Sequence, residues 1–163
     1  MLYFAYGSNM SVARMRQRIA SAHTLTRAVL RGHRLAFRKV GRDGSAKCDA
    51  VPSVRPGDLI HGVLYRLAAH DKPVLDAHEG LGRGYAERRV MVLQIDGTHC
   101  AAFLYQATHV DDTLKPFGWY REHVLRGARE HRLPAAYIAA ILSTETREDP
   151  DLERHRREMA LYD

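Results

Sequence analysis

The chain has 163 residues, 45% hydrophobic and 27% charged, enough for one folded domain with a real core. No apolar run approaches the roughly 20 residues that span a bilayer, and no basic segment precedes the first apolar one. A cytoplasmic protein with no membrane partner is therefore expected. The net charge of +6 admits nucleic acid or small anions as ligands, but there is no RNP, zinc-finger or helix-turn-helix pattern and the arginines stand beside glutamates along helical stretches, so no nucleic-acid partner is expected.

In chain order, residues 2–6 (LYFAY) read as a short buried strand. Gly7, Ser8 and Asn9 break it, and residues 11–20 follow as a helix capped by Ser11 or Asn9. Residues 24–30 and 34–40 read as strands around the Arg31-Gly32-His33 turn, and residues 41–49 as a loop. This makes Cys48 a loop thiol, while Cys100, in a strand-like run, reads as a small core residue. Two cysteines without a C-x-x-C pair give no disulfide framework. Residues 58–67 form a long strand, apolar on both faces. A short helix follows, with Asp71 as cap and Pro73 in its first turn, running to Glu79 and ending at Gly80.

The glycines at 80, 82 and 84 do not match G-x-G-x-x-G, which excludes a dinucleotide site. Residues 86–95 and 98–106 form a hairpin around Asp96-Gly97. Residues 118–131 and 134–142 read as helices, and 151–161 as a polar helix within a C-terminal tail, 151–163. Strands interspersed with helices predict a single α+β domain over 1–163, with a closed or strongly curled sheet flanked by helices. Helix faces carrying Val124, Ala128, Ile138 and Ile141 serve either a homodimer interface or the core of one chain.

Two segments invite chemistry. A chain leaving a buried strand through Tyr6-Gly7-Ser8-Asn9 exposes consecutive backbone N–H groups; Gly7 permits a positive φ and a close ligand approach. Such a turn suits a carboxylate or phosphate, or serves only as a capped connection. Glu79 sits at a helix C-terminus, where the dipole disfavours the charged carboxylate, a setting for a general acid or base. Taken alone, an ordinary exposed glutamate at a helix end is the commoner reading. Tyr85 and Tyr120 can offer hydroxyls to a ligand or pack in the core. The histidines lack metal-ligand spacing and Ser8 lacks a nucleophile elbow, so neither a metal nor a serine triad is expected.

Together these residues resemble the γ-glutamylcyclotransferase family. The resemblance rests on Tyr6-Gly7-Ser8-Asn9, on Leu75-Asp76-Ala77-His78-Glu79-Gly80, on Tyr85, and on the stretch from Trp119-Tyr120 to Leu133-Pro134-Ala135-Ala136-Tyr137. It spans about residues 2–142. The chain departs from the family pattern at Met10, where leucine is commoner, and at His131-Arg132, where a glycine often stands.

The resemblance implies a small barrel-like sheet flanked by helices, no cofactor, and Glu79 as the catalytic residue. It implies Tyr6, Gly7, Ser8, Asn9, Tyr85 and Tyr120 as residues that bind a small γ-glutamyl substrate. The implied reaction releases 5-oxoproline when the α-amine attacks its own side-chain carbonyl. Whether the substrate is a γ-glutamyl amino acid, an amine, glutathione or a biosynthetic intermediate is left open, as is a non-catalytic protein of the same fold that binds a small anion.

Overall fold

The computed structural model describes residues 1–163. Its first strand, β1 (Leu2–Ala5), is followed by a 3-10 turn at Ser8–Met10 and by α1 (Val12–Arg18). Three strands follow, β2 (His23–Arg31), β3 (His33–Val40) and β4 (Ala46–Pro52), and then β5 (Leu59–Arg66). Next come α2 (Lys72–Glu79), β6 (Tyr85–Gln94) and β7 (His99–Ala107). Three helices complete the chain: α3 (Gly118–Glu130), α4 (Ala135–Leu142) and α5 (Leu152–Met159). The strands form a closed barrel in the order β1-β5-β2-β6-β7, with β3 and β4 as a separate two-stranded sheet. The expected α+β class with a closed mixed sheet is what the chain adopts.

Antiparallel pairing of Leu2–Ala5 with Arg66–Val63 seats β1 on β5. A parallel contact between Tyr3 and Phe103 joins β1 to β7 and closes the barrel. The β6–β7 hairpin turns at Asp96-Gly97, with Gly97 at φ +85°. Apolar side chains from β1, β5, β7 and α3 fill the interior; Phe4, Leu64, Leu104, Val124 and Leu125 are at most 1% exposed.

Several local expectations need correction. Residues 41–49, expected as a loop, contain the start of β4, because Ala46, Cys48 and Ala50 supply a period-two buried face against the barrel. Cys48 is accordingly buried and Cys100 is the partly exposed thiol, the reverse of the expectation. Burial pushes the Cys48 thiol up to about 12. The α1 cap is Ser11, whose side chain accepts from Arg14 N. Asp71 does not cap α2 through its side chain; its carboxylate accepts from Ser21 Oγ instead. Val124, Ala128 and Ile141 are buried within the chain and are therefore not free for a dimer interface. No helix is long and apolar enough to cross a membrane.

Candidate active site

The site is built where the end of β1 meets α1, α2 and the β3–β4 sheet. Apolar Leu2–Ala5 anchors β1 in the barrel, so the turn that follows leaves a fixed point. Within it Met10 N bonds to Gly7 O and Ser11 N to Ser8 O, while the N–H groups of Gly7, Ser8 and Asn9 donate to no group of the protein. The turn is held from behind by α3. A Cβ on Gly127 would stand 2.4 Å from Ser11 N and 2.5 Å from the Met10 carbonyl carbon, so only glycine lets the helix lie this close. Gly7 itself has φ −116°, not the anticipated positive angle. The glycine instead relieves a tight contact: a Cβ would stand 3.0 Å from the Cys48 Cβ.

Glu79 ends α2, and Gly80 terminates the helix in the left-handed conformation. Its Oε1 accepts from Asn9 Nδ2 at 2.9 Å and from Arg18 Nη1 at 2.5 Å, while its Oε2 takes no hydrogen bond from the protein. Asn9 is fully engaged: Nδ2 also donates to Tyr3 Oη, and Oδ1 accepts from Arg18. Two residues of the N-terminal segment, Asn9 and Arg18, thus fix a carboxylate that is distant in the chain.

The expected tyrosines converge but act differently. Tyr6 donates its hydroxyl to the Tyr105 carbonyl, so it contributes a ring and no free hydroxyl. Tyr85 donates to Cys48 O at 2.6 Å, and Tyr120 Oη accepts from Cys48 N at 3.0 Å. The two clamp the peptide groups on either side of Cys48 in β4, and the Tyr120 proton stays available. Burial raises the pKa of Tyr6, Tyr85 and Tyr120 well above the ordinary tyrosine value, so all three are neutral at physiological pH.

Two spaces meet at Ser8, Glu79, Tyr85 and Tyr120. The inner one is a recess of about 20 Å³ bounded by Tyr3, Tyr6, Gly7, Asn9 and Tyr105. This is room for about one water or one polar group. The outer one is a chamber of about 210 Å³ to which Arg14, Arg18, Lys39, Arg42, Lys47 and Arg83 contribute positive charge against the carboxylates of Asp43 and Glu79. A separate, apolar groove of about 260 Å³ at Val29, His61, Leu93 and Pro134 contains none of the expected site residues.

Arg18, Tyr3 and Lys39 were not anticipated. Arg18 is the last residue of α1, and only the packing of α1 on α2 brings it to Glu79. Lys39 stands in a strand whose alternation is interrupted, so its direction could not be read from period two.

A barrel whose first strand empties into a turn of free amides beside a fixed carboxylate can be set against known proteins, and the comparison gives it a family. The AIG2-like family model matches residues 59–141, just over half the chain. The γ-glutamylcyclotransferase of Bos taurus is 30% identical over 148 residues, spanning 88% of this chain and 78% of that one. The Homo sapiens γ-glutamylcyclotransferase is 29% identical over 140 residues, spanning 83% and 74%. A solved γ-glutamyl cyclotransferase superposes with a TM-score of 0.84 at 25% identity, covering 97% of this chain and 98% of that one. The chain belongs to the γ-glutamylcyclotransferase, or AIG2-like, family.

Proposed function

We propose that the protein is a γ-glutamylcyclotransferase with Glu79 as its acid–base residue, acting on a small γ-glutamyl substrate. The observation that carries this reading is one carboxylate with an unoccupied Oε2, held by Arg18 and Asn9 beside three unpartnered amides. The recess takes negative charge of the γ-glutamyl group on the N–H groups of Gly7, Ser8 and Asn9. The chain of that group folds so that its α-amine and side-chain carbonyl meet beside Glu79, converting proximity into rate. The α-nitrogen bonds to the carbonyl carbon, and the bond from that carbon to the departing nitrogen breaks.

Protons must also balance. The α-ammonium loses two as it becomes the lactam N–H, and the departing amide nitrogen gains two as it leaves as an ammonium. Glu79 relays them, accepting from the first nitrogen and donating to the second. Ser8, Tyr85 and Tyr120 border the reacting bond; the Tyr120 hydroxyl, accepting from Cys48 N–H, keeps its own proton to offer. The products are 5-oxoproline and an amino acid or amine, with no cofactor in the scheme. The reading treats residues 1–163 as a single domain, supported by one apolar cluster that runs from Tyr3 to Ile141. It places the enzyme in the cytoplasm, in keeping with free thiols at Cys48 and Cys100.

The test is 5-oxoproline release from γ-glutamyl dipeptides, glutathione and γ-glutamyl amines. Release matched mole for mole by the freed amine is the expected result. Absence of 5-oxoproline with every compound contradicts the reading and favours a binding protein of the same fold.

A further inference from the structure

Of the six cations around the outer chamber, three are answered by acids. Arg14 pairs with Glu158, Arg18 with Glu79 and Lys47 with Asp43. Arg42 and Arg83 form no ion pair and are exposed at the rim. Lys39 is different from both. Its residue is 6% exposed, it makes no hydrogen bond or ion pair, and its Nζ lies 4.8 Å from the centre of the Tyr85 ring.

The fold works to put it there. A register shift between Phe37 and Lys39 interrupts the β3–β4 ladder and sets Lys39 opposite Lys47. A bulge of this kind re-aims side chains, and like charges directly across a strand pair are unfavourable. Lys47 is relieved by Asp43 and by Ser45 Oγ, both at 2.7 Å. Lys39 has no such relief. Gly84, at φ +115°, leaves the room it occupies: a Cβ there would stand 2.9 Å from Lys39 Cε and 3.2 Å from Nζ. The stem is buried while the unpaired ammonium opens onto the chamber, where it is the one cation of the wall neither matched by an acid nor out at the rim. A group so placed is set to meet an anion that enters the chamber.

Its place says which part of the ligand. Glu79 stands where the recess opens into the chamber, so a substrate with its γ-glutamyl anion in the recess extends its departing group into the chamber that Lys39 lines.

We propose that Lys39 is a specificity-determining residue that binds a carboxylate on the departing group, with Arg42 and Arg83 drawing that carboxylate in from the rim. The proposal rests on the cyclotransferase reading above and narrows it. The substrate class is γ-glutamyl peptides whose departing amino acid retains a free carboxylate, those with an acidic side chain most of all, in preference to γ-glutamyl amines.

The experiment compares kcat/KM for γ-glutamyl-glutamate, γ-glutamyl-alanine and γ-glutamyl-alaninamide in the wild type, Lys39→Met and Lys39→Arg. A binding arm titrates γ-glutamyl-glutamate and γ-glutamyl-alaninamide into Glu79→Gln, with and without Lys39→Met. The wild type is expected to prefer the acids over the amide by at least about tenfold, the factor that a charge-assisted hydrogen bond of about 1.5 kcal/mol supplies. Lys39→Met should bring the ratio towards one, and Lys39→Arg should restore much of it. A merely structural lysine would instead lower stability and reduce turnover of all three compounds together, whereas Lys39→Met is expected to unfold at the wild-type temperature or above.

Equal use of acids and amide by the wild type, or a preference that survives in Lys39→Met, overturns the proposal. Absence of 5-oxoproline with every compound overturns the cyclotransferase reading instead. Binding then decides the anion subsite separately: dependence on Lys39 sustains it, and indifference to Lys39 ends it.

Discussion

At the scale of single residues, the site depends on positions where a side chain is absent as much as on those where one is present. Gly127 permits α3 to touch the backbone of Met10 and Ser11, and a methyl group there would meet backbone atoms that cannot swing aside. Gly127→Ala is expected to destabilise the protein by about 1–3 kcal/mol, the usual range for overpacking a tight contact, and to lower turnover by displacing the turn. Gly118→Ala, on the same helix with nothing within 4 Å of the added Cβ, serves as the comparison and should be neutral or mildly stabilising. Urea denaturation of both variants checks this; equal midpoints would contradict the packing account.

The residue scale is also where sequence was most and least informative. The Tyr6–Asn9 turn and Glu79 could be picked out from their types and neighbours. Arg132, in the segment where the family resemblance implies a glycine, adopts φ +50°, the one non-glycine residue with positive φ. The partners of Glu79 could not be found this way, because Asn9 and Arg18 lie 70 and 61 residues from it along the chain.

At the scale of elements, the C-terminal α5 is more than the polar tail its composition suggests. Its Glu158 bonds to Arg14 at 2.6 Å and lies 3.0 Å from His123 Nε2, and Tyr162 just beyond it contacts His123 Nδ1 at 2.5 Å. Arg14 in turn borders the outer chamber, so this contact braces one wall of the site. Burial lowers His123 from 6.5 to about 4. Burial works to raise Glu158, but hydrogen bonding from His123 and the charge of Arg14 prevail and hold it at about 2, below its ordinary 4.5.

Both folded-state values lie below the unfolded ones, so the unfolded chain binds more protons in each interval and stability rises with pH there. The contribution of His123 is complete above pH 6.5 and is lost as the pH falls towards 4. That of Glu158 is complete above pH 4.5 and is lost towards 2. The thermal midpoint is therefore expected to fall on acidification through these windows, by a few degrees for each ~1 kcal/mol lost. A midpoint that stays level between pH 6.5 and 4 would contradict the neutral, buried His123. Such a brace could not be foreseen, since a helix rich in Arg and Glu looks the same in solvent as it does pinned at two points.

At the scale of the whole molecule, the hairpin at Asp96-Gly97 and the first strand and turn announced themselves through local rules, and the mixed barrel follows from their sum. What local rules missed was β4. Residues 46–52 mix lysine and aspartate with alanine and cysteine, so their apolar face is weak until β7 of the barrel and the Tyr85 and Tyr120 hydroxyls meet it. That strand carries Lys47 and Cys48 to the site, and with it the chemistry of the outer chamber.

The turn after β1, α1 and α2 together hold one carboxylate beside a row of free amides, and the central claim is that this carboxylate moves the protons of cyclisation. The most direct measurement is kcat for 5-oxoproline release by Glu79→Gln, which keeps the volume of the side chain and an oxygen for Arg18 and Asn9. With the circular dichroism spectrum and thermal midpoint close to wild type, the account predicts a loss of about 10²–10⁴-fold, the range for a positioned acid–base group. A folded Glu79→Gln protein that turns over within a few-fold of wild type would contradict it.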